Sequence, residues 1–266
     1  MAATGATATK ELKIVREPRV YLVGRQVVDP AVVDRFLADH EVSWTTDTEV
    51  GAETLAEMAG RVCYMSYGKG RKSNAEFMQH IIEVGHGSVL EHGVWSFLIT
   101  GVSRSFTHEL VRHRHFSYSQ LSQRYVDESD SDYIEPDVIA ADPELHAIWC
   151  DSVNAARAAY DRLVAGLERR YASEPDRTLR RKMARQAARS VLPNATETKI
   201  FVTGNARALR HFIELRGSEF ADVEIRKVAV QVLKLMQRES PAMFSDYTLE
   251  ALPDGSVVTR TAHPKV

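Results

Sequence analysis

One stretch of thirteen residues concentrates more hydrogen-bond donors than any other part of the chain: Arg112-His113-Arg114-His115-Phe116-Ser117-Tyr118-Ser119-Gln120-Leu121-Ser122-Gln123-Arg124. It holds three arginines, two histidines, three serines and two glutamines, between apolar segments expected to pack (Val102 to Val111, and Tyr125 to Ile134). Each guanidinium carries five N–H donors in a fixed fork that suits phosphates and planar acceptors, and it stays charged at any working pH. A packed core cannot absorb three of them unpaired, so the stretch lies on the surface or faces an anionic ligand. A solvated helix end would explain the cations, since positive charge is favoured at a helix C-terminus. It would not explain the hydroxyls, amides and aromatics set between them.

The residues before the stretch must position it. From Gly93 to Thr100 the side chains alternate, with Trp95, Phe97 and Ile99 on one face, which predicts a strand. Gly101 is expected to break it, and Ser103 to cap a helix whose stripe is Val102, Phe106 and Leu110. Glu109, Arg112 and His113 then share one side of that helix, and the motif is a helix C-terminus running into a loop.

Arg112, His113 and Arg114, then seven residues, then Ser122 resemble the signature of the flavin-dependent thymidylate synthases. Other blocks of that family are resembled in order and spacing by Gly85-His86-Gly87-Ser88-Val89-Leu90-Glu91-His92, by Ala187-Ala188-Arg189-Ser190-Val191-Leu192-Pro193, and by Gly204-Asn205-Ala206-Arg207 followed by Leu215-Arg216. The likeness runs over roughly residues 55 to 247. It implies an α+β fold, mostly helical with a small antiparallel sheet, and conversion of dUMP to dTMP by reductive methylation. No side chain delivers hydride, so that reaction needs a redox cofactor. The resemblance supplies FAD, with NADPH and 5,10-methylenetetrahydrofolate as co-substrates, in a homotetramer whose active sites draw on several subunits.

Carried over residue by residue, the resemblance places Ser88, Glu91, Arg112, His113, Arg114, Gln120, Asn205, Arg207 and His211 at FAD. It places Glu109, Leu110, Val111, Arg112, Gln120, Leu121, Ser122, Gln123, Arg124, Arg189 and Arg216 at dUMP, and His86 at a folate or flavin contact. Arg216 resembles the residue that favours ionised N3 of uracil, and with Ser122 makes up the catalytic pair. A serine alkoxide needs an adjacent base, and the sequence fixes none beside Ser122, which is therefore assigned to substrate binding and polarisation. Gln120, Glu109, Cys63 and His211 depart from a common pattern of the family.

The remaining segments read as support. Met1 to Thr9 is a low-complexity tail, and the expected division is a tail over 1–10, a catalytic domain over 11–250 and a hairpin or tail over 251–266. Arg19 to Val28 predicts a strand, with Asp29-Pro30 opening a helix. Leu55, Met58, Ala59 and Val62 fall at helical spacing before Cys63, which is expected to be a small buried hydrophobe. Ser73 to Glu76 forms a capping box that Gly85 answers with a stop. A long helix from Asp142-Pro143 carries Leu145, Ile148, Trp149, Val153, Ala156, Tyr160, Leu163 and Leu167 as a core stripe. Arg181, Arg185 and Arg189 form a ladder on the next helix, mostly toward solvent. Ile200 to Thr203 is a short strand, Gly204 a turn and Asn205 a cap. Asp222 begins a last amphipathic helix, and Leu252-Pro253-Asp254-Gly255 turns a hairpin.

With 266 residues, 44% of them hydrophobic, the chain can bury a sizeable core, and 34 basic against 36 acidic residues leave a formal charge of -2. That balance disfavours a general nucleic-acid surface, so any anion site is local. An RNA-binding module stacking bases on Phe116, Tyr118 and Tyr125 is the rival reading, and a helical scaffold without chemistry the third. Two cysteines make no disulfide framework, and the spacing of His86, His92, His108 and His115 matches no common zinc pattern, so no metal is expected. Without a signal peptide or a long apolar run, no membrane partner and a cytoplasmic location are expected.

Overall fold

In the computed structural model, which describes residues 11–266, side-chain caps open most of the longer helices. Asp29 accepts from the N–H groups of Ala31 and Val32 at the head of Pro30–Asp39. Ser73 accepts from Glu76 N at the head of Asn74–Glu83, and Gly85 ends that segment at φ 72°. Asp142, Asp176 and Asp222 do the same for Pro143–Arg170, Arg177–Ala188 and Val223–Glu239. An acceptor at this position satisfies helix N–H groups that have no partner within the helix, which is why these short polar residues mark the starts so well. The Met1 to Thr9 tail lies outside the described residues.

The chain forms two compact units: the described part of Met1–Glu17 with Gly101–Ser105 and Gln120–Lys199, and Pro18–Thr100 with Phe106–Ser119 and Ile200–Val266. In the first, Pro143–Arg170 packs on Arg177–Ala188, and Ile14–Val15 pairs in parallel with Tyr133–Ile134. The buried carboxylate of Glu135 joins these elements, accepting from Arg16 Nη2 at 2.6 Å and lying 2.5 Å from His146 Nδ1. Burial by itself would raise its pKa. The hydrogen bonds and charges of His146 and Arg16 outweigh that and hold it below the ordinary value.

The second unit holds most of a four-stranded sheet ordered Arg19–Gly24, Val94–Ser103, Glu197–Asn205, Ser117–Gln120, the first pair antiparallel. Trp95, Phe97 and Ile99 are buried, as their alternation requires, together with Ile200 and Val202. Val223–Glu239 packs on Ala206–Arg216 and buries Ile225, Val228, Val232 and Met236. Tyr247–Ala251 and Val257–Thr261 form the expected hairpin around Gly255 at φ 81°. The α+β, mostly helical class is as expected.

Several local expectations are corrected. Gly101 does not break its strand: at φ 66° it stays in the ladder, its N–H held 2.9 Å from Glu197 Oε1, and the strand runs on to Ser103. Gly204 lies inside a strand, not at a turn, and its lack of a side chain serves close packing, since a Cβ there would stand 2.4 Å from the Phe116 ring. The short helix Pro241–Phe244 follows the helix expected to be last. Helix Gly51–Val62 buries Glu53, Glu57 and Arg61 and leaves the Leu55, Met58, Ala59 and Val62 side partly or fully exposed, with Cys63 exposed beyond it. Polar groups win that face because they satisfy one another: Glu57 accepts from Trp44, Thr46, Arg61 and Asn74. On the long helix only Val153, Arg157 and Tyr160 are buried, while Leu145, Ile148 and Leu163 are 45%, 58% and 40% exposed. Arg185 is not a solvent-facing rung either: it donates to Tyr125 O at 2.7 Å and pairs with Asp127 at 2.8 Å.

Candidate functional site

Helix Arg104–Leu110 ends before the arginine-histidine motif begins, so Arg112, His113 and Arg114 lie in the turn after it and not on the helix itself. The segment beyond that turn is no open loop, because Ser117–Gln120 is an edge strand of the sheet. The turn is pinned from inside. Phe116 packs against the rings of His113 and Phe212 and over Gly204. The Tyr118 hydroxyl stands 2.7 Å from both Leu110 O and His113 O, and burial pushes its pKa up, so it remains a donor. With Phe116 and His113 turned inward, Arg112, Arg114 and His115 are left exposed.

These residues border a cavity of about 630 Å³, within the size range of small-molecule sites. Its lining comprises Glu91, Arg112, His113, Arg114, His115, Asn205, Arg207, Ala208, His211, Lys265 and Val266. Asn205 caps Ala206–Arg216 through Ala208 N at 2.8 Å, which sets the positive end of that helix at the cavity. Arg207 pairs with Glu91 at 2.6 Å. Among the lining side chains four are fixed cations and one is a carboxylate, a balance that suits a phosphate-bearing ligand. Seven of the nine residues assigned to FAD meet here; Ser88 and Gln120 are not in the lining. His86 and Ser88 are both exposed, one just ahead of and one within the short helix Gly87–Leu90. Sequence reasoning assigned no ligand role to His115, Ala208, Lys265 or Val266, and for the last two there was no signal, because they come some fifty residues after the final family block.

Arg216 closes one side of the motif. Its Nε donates to His113 Nε2 at 3.0 Å, its Nη1 to Glu109 Oε2 at 2.8 Å and its Nη2 to Glu109 O at 3.4 Å. A guanidinium only donates, so His113 Nε2 carries the lone pair and the ring is neutral. Burial, then the charge of Arg216, then His211 push the His113 pKa down to about 4. In the unfolded chain the ring would protonate near 6.5, so its folded form is favoured above that pH and loses stability as the pH falls toward 4, by up to about 3 kcal/mol. Urea unfolding at pH 7 and pH 4.5 should show a larger loss for the wild-type chain than for His113→Gln, which keeps an acceptor that does not titrate. Equal losses would disprove the account.

The residues assigned to dUMP divide between the units: Glu109, Leu110, Val111, Arg112 and Arg216 in one, Gln120, Leu121, Ser122, Gln123, Arg124 and Arg189 in the other. The Leu110 side chain is buried in the core, so only its backbone is available to a ligand. Ser122 Oγ accepts from Arg124 N at 3.3 Å, and Gln120 Nε2 donates to Thr198 Oγ1 at 3.4 Å. The Arg124 Nε is buried without a partner, a donor still to be satisfied. Arg189 is exposed at the start of the turn Arg189–Val191.

Comparison with known proteins gives the family. The family described as thymidylate synthase complementing protein matches residues 46–242. Flavin-dependent thymidylate synthases of Mycobacterium marinum and Mycolicibacterium vanbaalenii are 55% and 56% identical over 226 residues, covering 84% of this chain and 90% of each relative. The UMP/dUMP methylase PolB of Streptomyces cacaoi, solved with 5-Br dUMP bound, has the same fold at TM-score 0.64 and 20% identity, over 88% of this chain and 96% of that one. The pinned cationic turn, the cavity at the helix cap and these matches together place the chain in the flavin-dependent thymidylate synthase family.

Proposed function

We propose that this chain converts dUMP to dTMP, binding FAD in the cavity beside the arginine-histidine turn. The observation that carries the reading is the convergence of Glu91, Arg112, His113, Arg114, Asn205, Arg207 and His211 on one cavity rich in fixed cations. FAD, reduced by NADPH, supplies the reducing equivalents, and 5,10-methylenetetrahydrofolate supplies the one-carbon unit. The protein binds and polarises. Arg112 and Arg114 attract phosphate, Arg207 does so from its pair with Glu91, and Asn205 orients the helix end. Arg216, oriented by Glu109 and neutral His113, presents a guanidinium whose charge Glu109 partly offsets to the pyrimidine, where its fixed N–H donors stabilise negative charge at N3 and make C5 more nucleophilic. Gln120 to Arg124 and Arg189, all carried by the other unit, bring two guanidiniums suited to a nucleotide phosphate. Ser122 binds and polarises, and His86 meets folate or flavin.

The anaerobic test combines protein, dUMP, NADPH, FAD and methylenetetrahydrofolate and tracks dTMP; its absence with each component present rejects the reading. The working form is a homotetramer of the reducing cytoplasm. The exposed Leu145, Ile148 and Leu163 on one helix support burial against further subunits. Among the described residues no helix is long and apolar enough to cross a membrane. Light scattering should give the mass of four chains, and Ile148→Glu should lower it; a wild-type monomer would rule the assembly out.

A further inference from the structure

The cavity has a wall that the family match does not reach. That match ends at residue 242, yet Lys265 and Val266 line the cavity with Arg112, Arg114 and Arg207. We propose that segment 262–266 is a built part of the cofactor site and that the Lys265 ammonium binds the diphosphate of the dinucleotide. The inference rests on the reading of this cavity as the FAD site and extends it to a residue outside the family's blocks.

The segment is tied down along its length. Thr259 joins its strand to helix Ala206–Arg216, donating from Oγ1 to Ile213 O at 2.9 Å. Thr261 Oγ1 donates to Asp246 Oδ2 at 2.6 Å and accepts from His263 N at 3.0 Å. Buried Arg210, paired with Asp246 at 2.6 Å, also reaches His263 O at 3.5 Å. Lys265 donates its backbone N–H to Glu214 Oε2 at 2.9 Å and takes φ 67°, a left-handed conformation uncommon for a lysine. Glu214 lies on the helix that begins at Asn205. One helix therefore presents its capped N-terminus to the cavity and anchors the backbone of the residue that adds a cation there.

Charge gives the segment its use. Arg207 is already paired with Glu91, so a ligand diphosphate facing that side draws less from it than from an unpaired guanidinium. Lys265 adds a further cation to that lining.

Dissociation constants of FAD and riboflavin, read from flavin fluorescence with the full-length chain at low and moderate salt, test this. Lys265→Gln should weaken FAD about fivefold, the scale of one partly exposed charge pair, and the loss should shrink as salt rises. Lys265→Arg should stay near wild type, and riboflavin, which has no phosphate, should bind Lys265→Gln and wild type alike. Equal FAD binding by wild type and Lys265→Gln overturns the role of Lys265 alone. Equal loss of FAD and riboflavin overturns the diphosphate contact in favour of a merely structural wall. A wild-type chain that binds neither flavin overturns the cofactor reading and this inference with it.

Discussion

Arg216→Ala is expected to lower turnover of dUMP by about 10²- to 10³-fold while leaving the chain folded, which is the usual effect of removing one preorganised group that stabilises developing charge. The size comes from how the guanidinium is held. Glu109 and His113 fix it from two directions, at 2.8 Å and 3.0 Å, so it needs no reorganisation when charge builds on the pyrimidine. Lysine should rescue little, because a single ammonium on a flexible stem lacks the fork that spans both anchors. Circular dichroism and FAD binding of the variant should match wild type, and only turnover should fall. Activity of Arg216→Ala within a few-fold of wild type would remove Arg216 from the mechanism.

The largest stability effect is expected away from the site, at Glu57. Its carboxylate accepts from Trp44 Nε1, Thr46 Oγ1, Arg61 Nε and Asn74 Nδ2 at 3.1, 2.8, 2.7 and 2.8 Å. Arg61, also buried, spends its other donors on Ser66 O, Lys69 O and Arg71 O, so it closes the loop after its own helix. Glu57→Ala leaves that guanidinium buried without its counter-charge, which should cost about 3–5 kcal/mol in urea unfolding. The double replacement Glu57→Leu with Arg61→Met should recover part of the loss, since it removes both charges and keeps apolar volume. A Glu57→Ala chain that unfolds within 1 kcal/mol of wild type, on the order of one ordinary hydrogen bond, would contradict this.

The candidate site was legible in the sequence where chemistry is local. Arginine, histidine and hydroxyl residues crowded into one stretch had no place in a core, and the flanking blocks carried the family likeness. That seven of the nine FAD residues border one cavity was not local information, because Glu91 and Arg207 meet only through the fold. Lys265 was invisible for the same reason: an isolated lysine after a hairpin has no pattern, and its place depends on Glu214 and Arg210 holding the segment.

By itself the sequence determined helix starts and strand faces, since Asp29, Ser73, Asp142, Asp176, Asn205 and Asp222 act on N–H groups two or three residues away and Trp95, Phe97 and Ile99 alternate within a single strand. Only tertiary structure decided which helix face is buried. Glu57 and Arg61 go inside because each finds partners beyond its own turn, and Cys63 stays outside because that helix spends its buried face on them. Leu145, Ile148 and Leu163, apolar by type, lie open along a helix whose inner contacts go to Val153, Arg157 and Tyr160. Hydrophobic spacing fixes which residues share a side, whereas burial depends on what the rest of the chain brings against that side.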